Sequence, residues 1–174
     1  MRAVLPVLFL LGLGACGSDG AVSSDAQLLV PDDVTLHWES SFNGVDDGRA
    51  LLVPVDVMVY QGSTGEPIEG ARIELGDTQP GAKLLRPDAV SMVGFDEPID
   101  GAWWDAWSDR YFEFAPDVRP TSSLVVDTDA TGLARVYVFI DRFPVDEMEE
   151  SGFAPAPVSV TMGDTEESFL LIPR

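Results

Sequence analysis

One cysteine and one histidine occur in 174 residues, and that scarcity removes whole classes of chemistry. A single Cys excludes an internal disulfide and every multi-cysteine metal or redox motif. A single His, His37, removes most metal-hydrolase and triad chemistry, and no Gly-x-Ser-x-Gly elbow is present to supply a nucleophile. Basic residues are thin as well: 10 Lys and Arg stand against 30 Asp and Glu, a formal net charge of −20. Phosphates must be met by a basic surface, so no nucleic acid is expected as a partner. Walker, dinucleotide-binding and zinc motifs are absent; the expectation is no cofactor, no metal and no enzymatic activity. Long apolar runs are also missing. The longest, residues 3–13, is too short to span a hydrocarbon core of ~30 Å, and behind Arg2 it reads as the h-region of a signal peptide.

The run ends in Leu13-Gly14-Ala15-Cys16, small residues before the only Cys in the chain. This resembles the lipobox of bacterial lipoproteins, in which a thiol forms the thioether to diacylglycerol and cleavage follows on its N-terminal side. The resemblance implies that residues 1–15 are a cleaved signal peptide and that Cys16 is the lipidation site. It further implies a membrane partner held through three acyl chains, an anchor that is effectively permanent at ~0.8 kcal/mol per buried CH₂. Gly17 stands where an Asp would retain an enterobacterial lipoprotein at the inner membrane, which points to a lipid-anchored place at the outer membrane. Residues 16–33 then read as lipidated Cys and flexible tether, with a reach of about 20–25 Å.

What the chain does have is a core and frequent punctuation. Hydrophobic residues make up 45%, and 16 Gly and 13 Pro favour short strands joined by turns over long helices. Val53, Val55, Val57 and Val59 alternate with Pro54, Asp56, Met58 and Tyr60, the signature of a half-buried strand. Ala71, Ile73 and Leu75 follow the turn QGSTGEP; Ala134, Val136, Val138 and Ile140 repeat the period, as do Val158, Val160 and Met162. With 34–38, 124–127 and 169–172 the count reaches about seven strands. The expected fold is all-β, an immunoglobulin-like sandwich over residues 34–174.

The segments VPVDVMVYQGSTGEPIEGARIEL (53–75), VDTDATGLARVYVFI (126–140) and PVSVTMGDTEESFLLIP (157–173) resemble the bacterial Ig-like domains of the invasin and intimin type. They match a strand running into a Gly-x-Pro turn, a Thr-Asp-x-x-Gly-x-Ala lead-in to a later strand, and a closing hairpin. The matching stretches cover under half of the chain. Carboxypeptidase-regulatory and transthyretin-like sandwiches use the same turns, so a transthyretin-like strand order is an open alternative. The chain departs from the family in an insertion at about 83–120.

That insertion holds FDEPIDGAWWDAWSDRYFEFAPD (95–117), with Trp104, Trp107 and Tyr111 at i, i+3 and i+7 and Trp103 on the flank. Helical spacing of aromatics predicts a short amphipathic helix or irregular loop capping the open end, its rings buried. The alternative is an exposed aromatic platform ringed by Asp100, Asp105, Asp109 and Glu113, suited to a sugar face or a cationic group. Trp103, Trp104, Trp107 and Tyr111 are therefore the candidate binding residues. Asp127-Thr128-Asp129-Ala130-Thr131-Gly132 begins like a calcium loop, but its twelfth position is Val138, so these acids are expected in Asx-turns; a looser Ca²⁺ site with Asp32, Asp33, Asp46 or Asp47 stays open. His37 is expected as an edge or packing residue. Adjacent acids such as Asp96-Glu97 and Glu149-Glu150 are what 30 acids produce by chance, and residues 141–157 read as a second long loop with one helical turn at 145–150. The functional expectation is a non-catalytic envelope lipoprotein whose domain mediates binding or adhesion to an envelope protein or glycan. The alternative is an assembly subunit, resembling the sandwich lipoproteins that anchor secretion machines to the outer membrane.

Overall fold

The computed structural model describes residues 23–36, 49–76, 78, 82–94, 102–140 and 156–173. These form twelve strands in two sheets and one 3-10 turn. The seven-stranded sheet is built on β3 (Arg49–Gln61), which pairs antiparallel with β10 (Leu133–Ile140) over its whole inner length, from Met58–Leu133 to Leu51–Ile140. β5 (Ala82–Leu85) adds outside β10, and β1 (Ala26–Leu29) lies on the far side of β3. The five-stranded sheet runs β2 (Asp33–Leu36), β12 (Thr165–Pro173), β11 (Ala156–Met162), β4 (Arg72–Gly76), β9 (Leu124–Asp127), with β2 parallel to β12 and the other pairs antiparallel.

Period-two patterning explains how the sheets meet. Val53, Val55, Val57 and Val59 of β3 and Ala134, Val136, Val138 and Ile140 of β10 point to one side, each essentially excluded from water. Ile73, Leu75, Val158, Val160, Phe169 and Leu171 of the five-stranded sheet close over them in one shared core. Burial of each such aliphatic side chain stabilises the fold by roughly 1.5–3 kcal/mol. The opposite residues Pro54, Asp56 and Met58 face solvent.

At one end this alternation gives way to continuous apolar runs: Ala50-Leu51-Leu52-Val53, Leu84-Leu85 and Val138-Phe139-Ile140 are buried on both faces. The second face is covered by the insertion. β6 (Val90–Gly94), β7 (Trp103–Asp105) and β8 (Arg110–Phe114) extend the seven-stranded sheet from the N-terminal end of β3, where β7 pairs in parallel through Arg49–Trp104 and Ala50–Asp105. Phe112 from β8 enters a second core with Ala50, Leu52, Leu85, Ala89 and Phe139.

Three expectations change here. Residues 26–29, expected in the tether, are strand β1: Ala26 lies opposite Gln61 in register, and the Gly62 amide donates to Asp25 O at 2.8 Å. Residues 82–85 belong to the sandwich rather than to the insertion, because Lys83 lies in the ladder with Phe139. The insertion itself is three antiparallel strands in the order β7-β8-β6, in place of the expected helix or irregular loop. Cys16, His37, Asp46, Asp47, Asp96, Glu97, Asp100, Glu149 and Glu150, with the expected helical turn at 145–150, lie outside the described residues.

The two turn motifs read in the sequence meet in space. Gly132 sits at φ 73° with its carbonyl accepting the Val59 amide at 2.8 Å, and a Cβ there would lie 2.5 Å from Val59 O. Only glycine combines that backbone with that approach. Beside it the buried Thr128 hydroxyl donates to Ile68 O at 2.6 Å and accepts from the Ala71 amide at 2.9 Å. The Gly-x-Pro turn and the Asp-rich lead-in are thus one hydrogen-bonded corner.

Candidate functional site

β7 and β8 form a hairpin whose register places Trp103 opposite Phe112, Trp104 opposite Tyr111 and Asp105 opposite Arg110. Strand alternation then separates the aromatics onto two faces. Trp103 turns into the second core, where it meets Phe139 edge-on at a centroid distance of 5.6 Å and Phe114 at 6.4 Å. Trp104 and Tyr111 share the opposite face and pack edge-to-face at 4.8 Å, a geometry that favours aromatic pairs beyond their buried area. Both are half-buried. Glu113, two residues on from Tyr111, shares their face by the same alternation.

Trp107 sits in the turn between the strands and is 42% exposed, one of the few large apolar side chains that reaches solvent. Its backbone is hydrogen-bonded to a buried side chain. The Asp105 carboxylate, fully excluded from water, accepts the amides of Trp107 and Ser108 at 3.1 Å each and the Ser108 hydroxyl. The same carboxylate accepts the Leu52 amide of β3 at 2.8 Å, and the Ala106 amide donates to Ala50 O at 3.0 Å. Asp109 closes the turn at φ 53°, a left-handed backbone that Asp tolerates. One buried acid therefore fixes the turn that carries Trp107 and fastens it to the sandwich.

Burial pushes the Asp105 carboxyl above the usual aspartate range, against the four hydrogen bonds that favour its charged form. The alternative reading of an exposed platform puts Asp105 on a solvent-facing acidic ring; it lies inside the hairpin, where its side chain is the partner of the turn amides. Of the other ring members, Asp109 is exposed and Glu113 half-buried. The aromatic spacing that read as helical is a cross-strand pair around a four-residue turn. The signal that distinguishes the two was Trp103-Trp104-Asp105 with Arg110-Tyr111-Phe112, two short β-prone runs flanking a polar tip.

The remaining acidic motif is occupied by its own loop. The Asp129 carboxylate accepts the Thr131 amide at 2.8 Å, the Thr131 hydroxyl at 2.6 Å and the Leu133 amide at 3.1 Å, as an Asx-turn does. Those bonds, led by the one from the Thr131 side chain, hold its carboxyl below the usual range. Among the described residues no group of three or more His, Cys, Asp or Glu side chains is placed to hold a metal ion. No helix of the described residues is long and apolar enough to cross a membrane.

No protein-family model and no curated protein matches this chain, so the reading of the site stands on its own residues.

Proposed function

We propose that the chain is a non-catalytic lipoprotein of the bacterial outer membrane, anchored through Cys16, whose immunoglobulin-like domain binds an envelope protein or glycan through the β7–β8 hairpin. The observation that carries this reading is Trp107: a large aromatic that reaches solvent from a turn whose backbone is fixed by a buried acid has part of its ordering cost met before any partner arrives. Exposed, preorganised Trp residues dominate binding surfaces where they occur. The strand order supports the immunoglobulin-like assignment. β1-β3-β10-β5 corresponds to A-B-E-D and β12-β11-β4 to G-F-C, with the insertion falling between the strands equivalent to D and E.

Catalysis is disfavoured by chemistry, since the acceptor positions of the buried acid at the site are taken up by three backbone amides and the Ser108 hydroxyl. Assembly by strand addition is disfavoured at the β5 and β9 edges. The Arg86 guanidinium donates to Val125 O of β9 at 2.8 Å, and Thr121 exchanges backbone bonds with Leu84 of β5 at 2.7 and 3.1 Å, so both edges at that seam are blunted. The test is sedimentation of the mature chain without its lipid on outer-membrane vesicles. Wild type co-sediments, and Trp107→Ala loses at least tenfold in affinity with its melting temperature unchanged; equal binding by the two proteins contradicts the reading.

A further inference from the structure

The outer face of the five-stranded sheet carries a cleft of about 540 Å³, away from the hairpin. We propose that it is a saccharide-binding site for a neutral or amino-substituted sugar. The size falls within the range of small-molecule sites, but the lining is of a different kind from the usual apolar pocket. One cross-strand row runs Glu74, Thr161, Glu166, placed by the registers Glu74–Thr161 and Thr161–Glu166. At ~4.8 Å between strands, the two acids start about 10 Å apart with a hydroxyl between them. The next row places Ser159 opposite Gly76. A wall of Thr78, Ser122 and Ser123 completes it, with the Thr78 hydroxyl donating to Ser122 O at 3.3 Å.

The chemistry of this lining selects a ligand class. Among the described residues neither Arg nor Lys lines the cleft, so a phosphate, carboxylate or uronate would face the like charges of Glu74 and Glu166. Among the described residues neither an aromatic nor a large aliphatic side chain lines it, which disfavours acyl chains and planar rings. Hydroxyls that donate and accept, flanked by carboxylates that accept only, match the vicinal hydroxyls of a sugar, and an ammonium substituent would add attraction to the same acids. Gly76 supplies the open floor. A Cβ there would meet Ser159 Oγ at 3.5 Å and Ser123 Cβ at 3.9 Å, ordinary contacts that leave the sheet undisturbed while larger side chains would fill the cleft.

The inference is independent of the hairpin reading, and its test uses separate variants. The mature chain is titrated by calorimetry and by amide chemical shifts with a glucosamine disaccharide, its N-acetylated form and a galacturonate disaccharide. The first two bind saturably, the amino form tighter, and the uronate does not. Gly76→Val and Glu74→Gln each weaken binding about tenfold without lowering the melting temperature, while Leu29→Ser on the other sheet leaves it unchanged. No saturable binding by any of the three, equal binding of the uronate, or binding untouched by Gly76→Val overturns the proposal.

Discussion

The Asp105 carboxylate accepts the Leu52 amide at 2.8 Å across 53 residues of chain, and this bond joins the inserted hairpin to the long central strand of the sandwich. Because the same carboxylate also holds the Trp107 and Ser108 amides, Asp105 couples the position of the exposed Trp107 ring to the rigid body of the protein. Asp105→Ala strands one buried and two part-buried amide donors at once. The expected loss is about 2–4 kcal/mol by urea denaturation, with Asp105→Asn milder because its amide oxygen still accepts. A change under about 0.5 kcal/mol for Asp105→Ala would show that the carboxylate does not hold the hairpin.

Two aspartates respond to acid in opposite directions. Burial raises the Asp105 carboxyl, so its charged form is the costly one in the folded state: relative to Asp105→Asn, wild type gains stability as pH falls through the raised folded value, and the gain levels off below the unfolded value. Asp129 is lowered by the Thr131 hydroxyl and amide and by the Leu133 amide. Its contribution is present above the ordinary aspartate value and is lost as pH falls through the depressed folded one. Carboxyl-carbon NMR titration reads both midpoints, and Asp105 titrating below Asp129 would contradict the structure.

The corner formed by Thr128 and Gly132 is a stability determinant. Thr128→Val leaves the Ile68 carbonyl and the Ala71 amide without their buried partner and costs about 1–3 kcal/mol. Gly132→Ala adds a Cβ against Val59 O in a left-handed backbone and costs more than about 2 kcal/mol. Thermal unfolding of the two variants checks the order, with Gly132→Ala the less stable.

Phe112→Ala removes a fully buried ring from the second core and costs about 3–5 kcal/mol. Hydrogen exchange places that loss. Because Leu52 and Phe139 of the central strands line the same core, protection falls in β3 and β10 as well as in β8; a loss confined to β6–β8 would mean that the insertion folds as a separate unit.

Lipidation is tested in the cell that makes the protein. Metabolic labelling with an alkyne fatty acid marks the wild type and not Cys16→Ser, and the variant leaves the membrane fraction. Label retained by Cys16→Ser would remove the anchor from this account.

The seven strands read from alternation all have counterparts here, because a face of Val and Ile opposed by polar residues has few other solutions. β1 and β5 escaped notice since AQLL and AKLL are too short to show a period. The second core was hidden for a different reason. Its signal was the lapse of alternation at Ala50–Val53 and Val138–Ile140, which marks strands covered on both sides but does not say by what. The hairpin reads as helical because Trp104 and Tyr111 stand seven positions apart whether the chain turns twice around a helix or once around a tip. Asp105 could not be told from its neighbours in a chain of 30 acids; burial, a property of the fold, is what sets it apart.

The most direct measurement is acrylamide quenching of tryptophan emission with and without outer-membrane vesicles, comparing wild type with Trp107→Phe. The account predicts that Trp107→Phe removes a strongly quenched component of the free protein's emission, and that vesicles protect that component in the wild type. Trp107 emission that stays equally open to quencher in the presence of saturating vesicles would contradict binding through the hairpin.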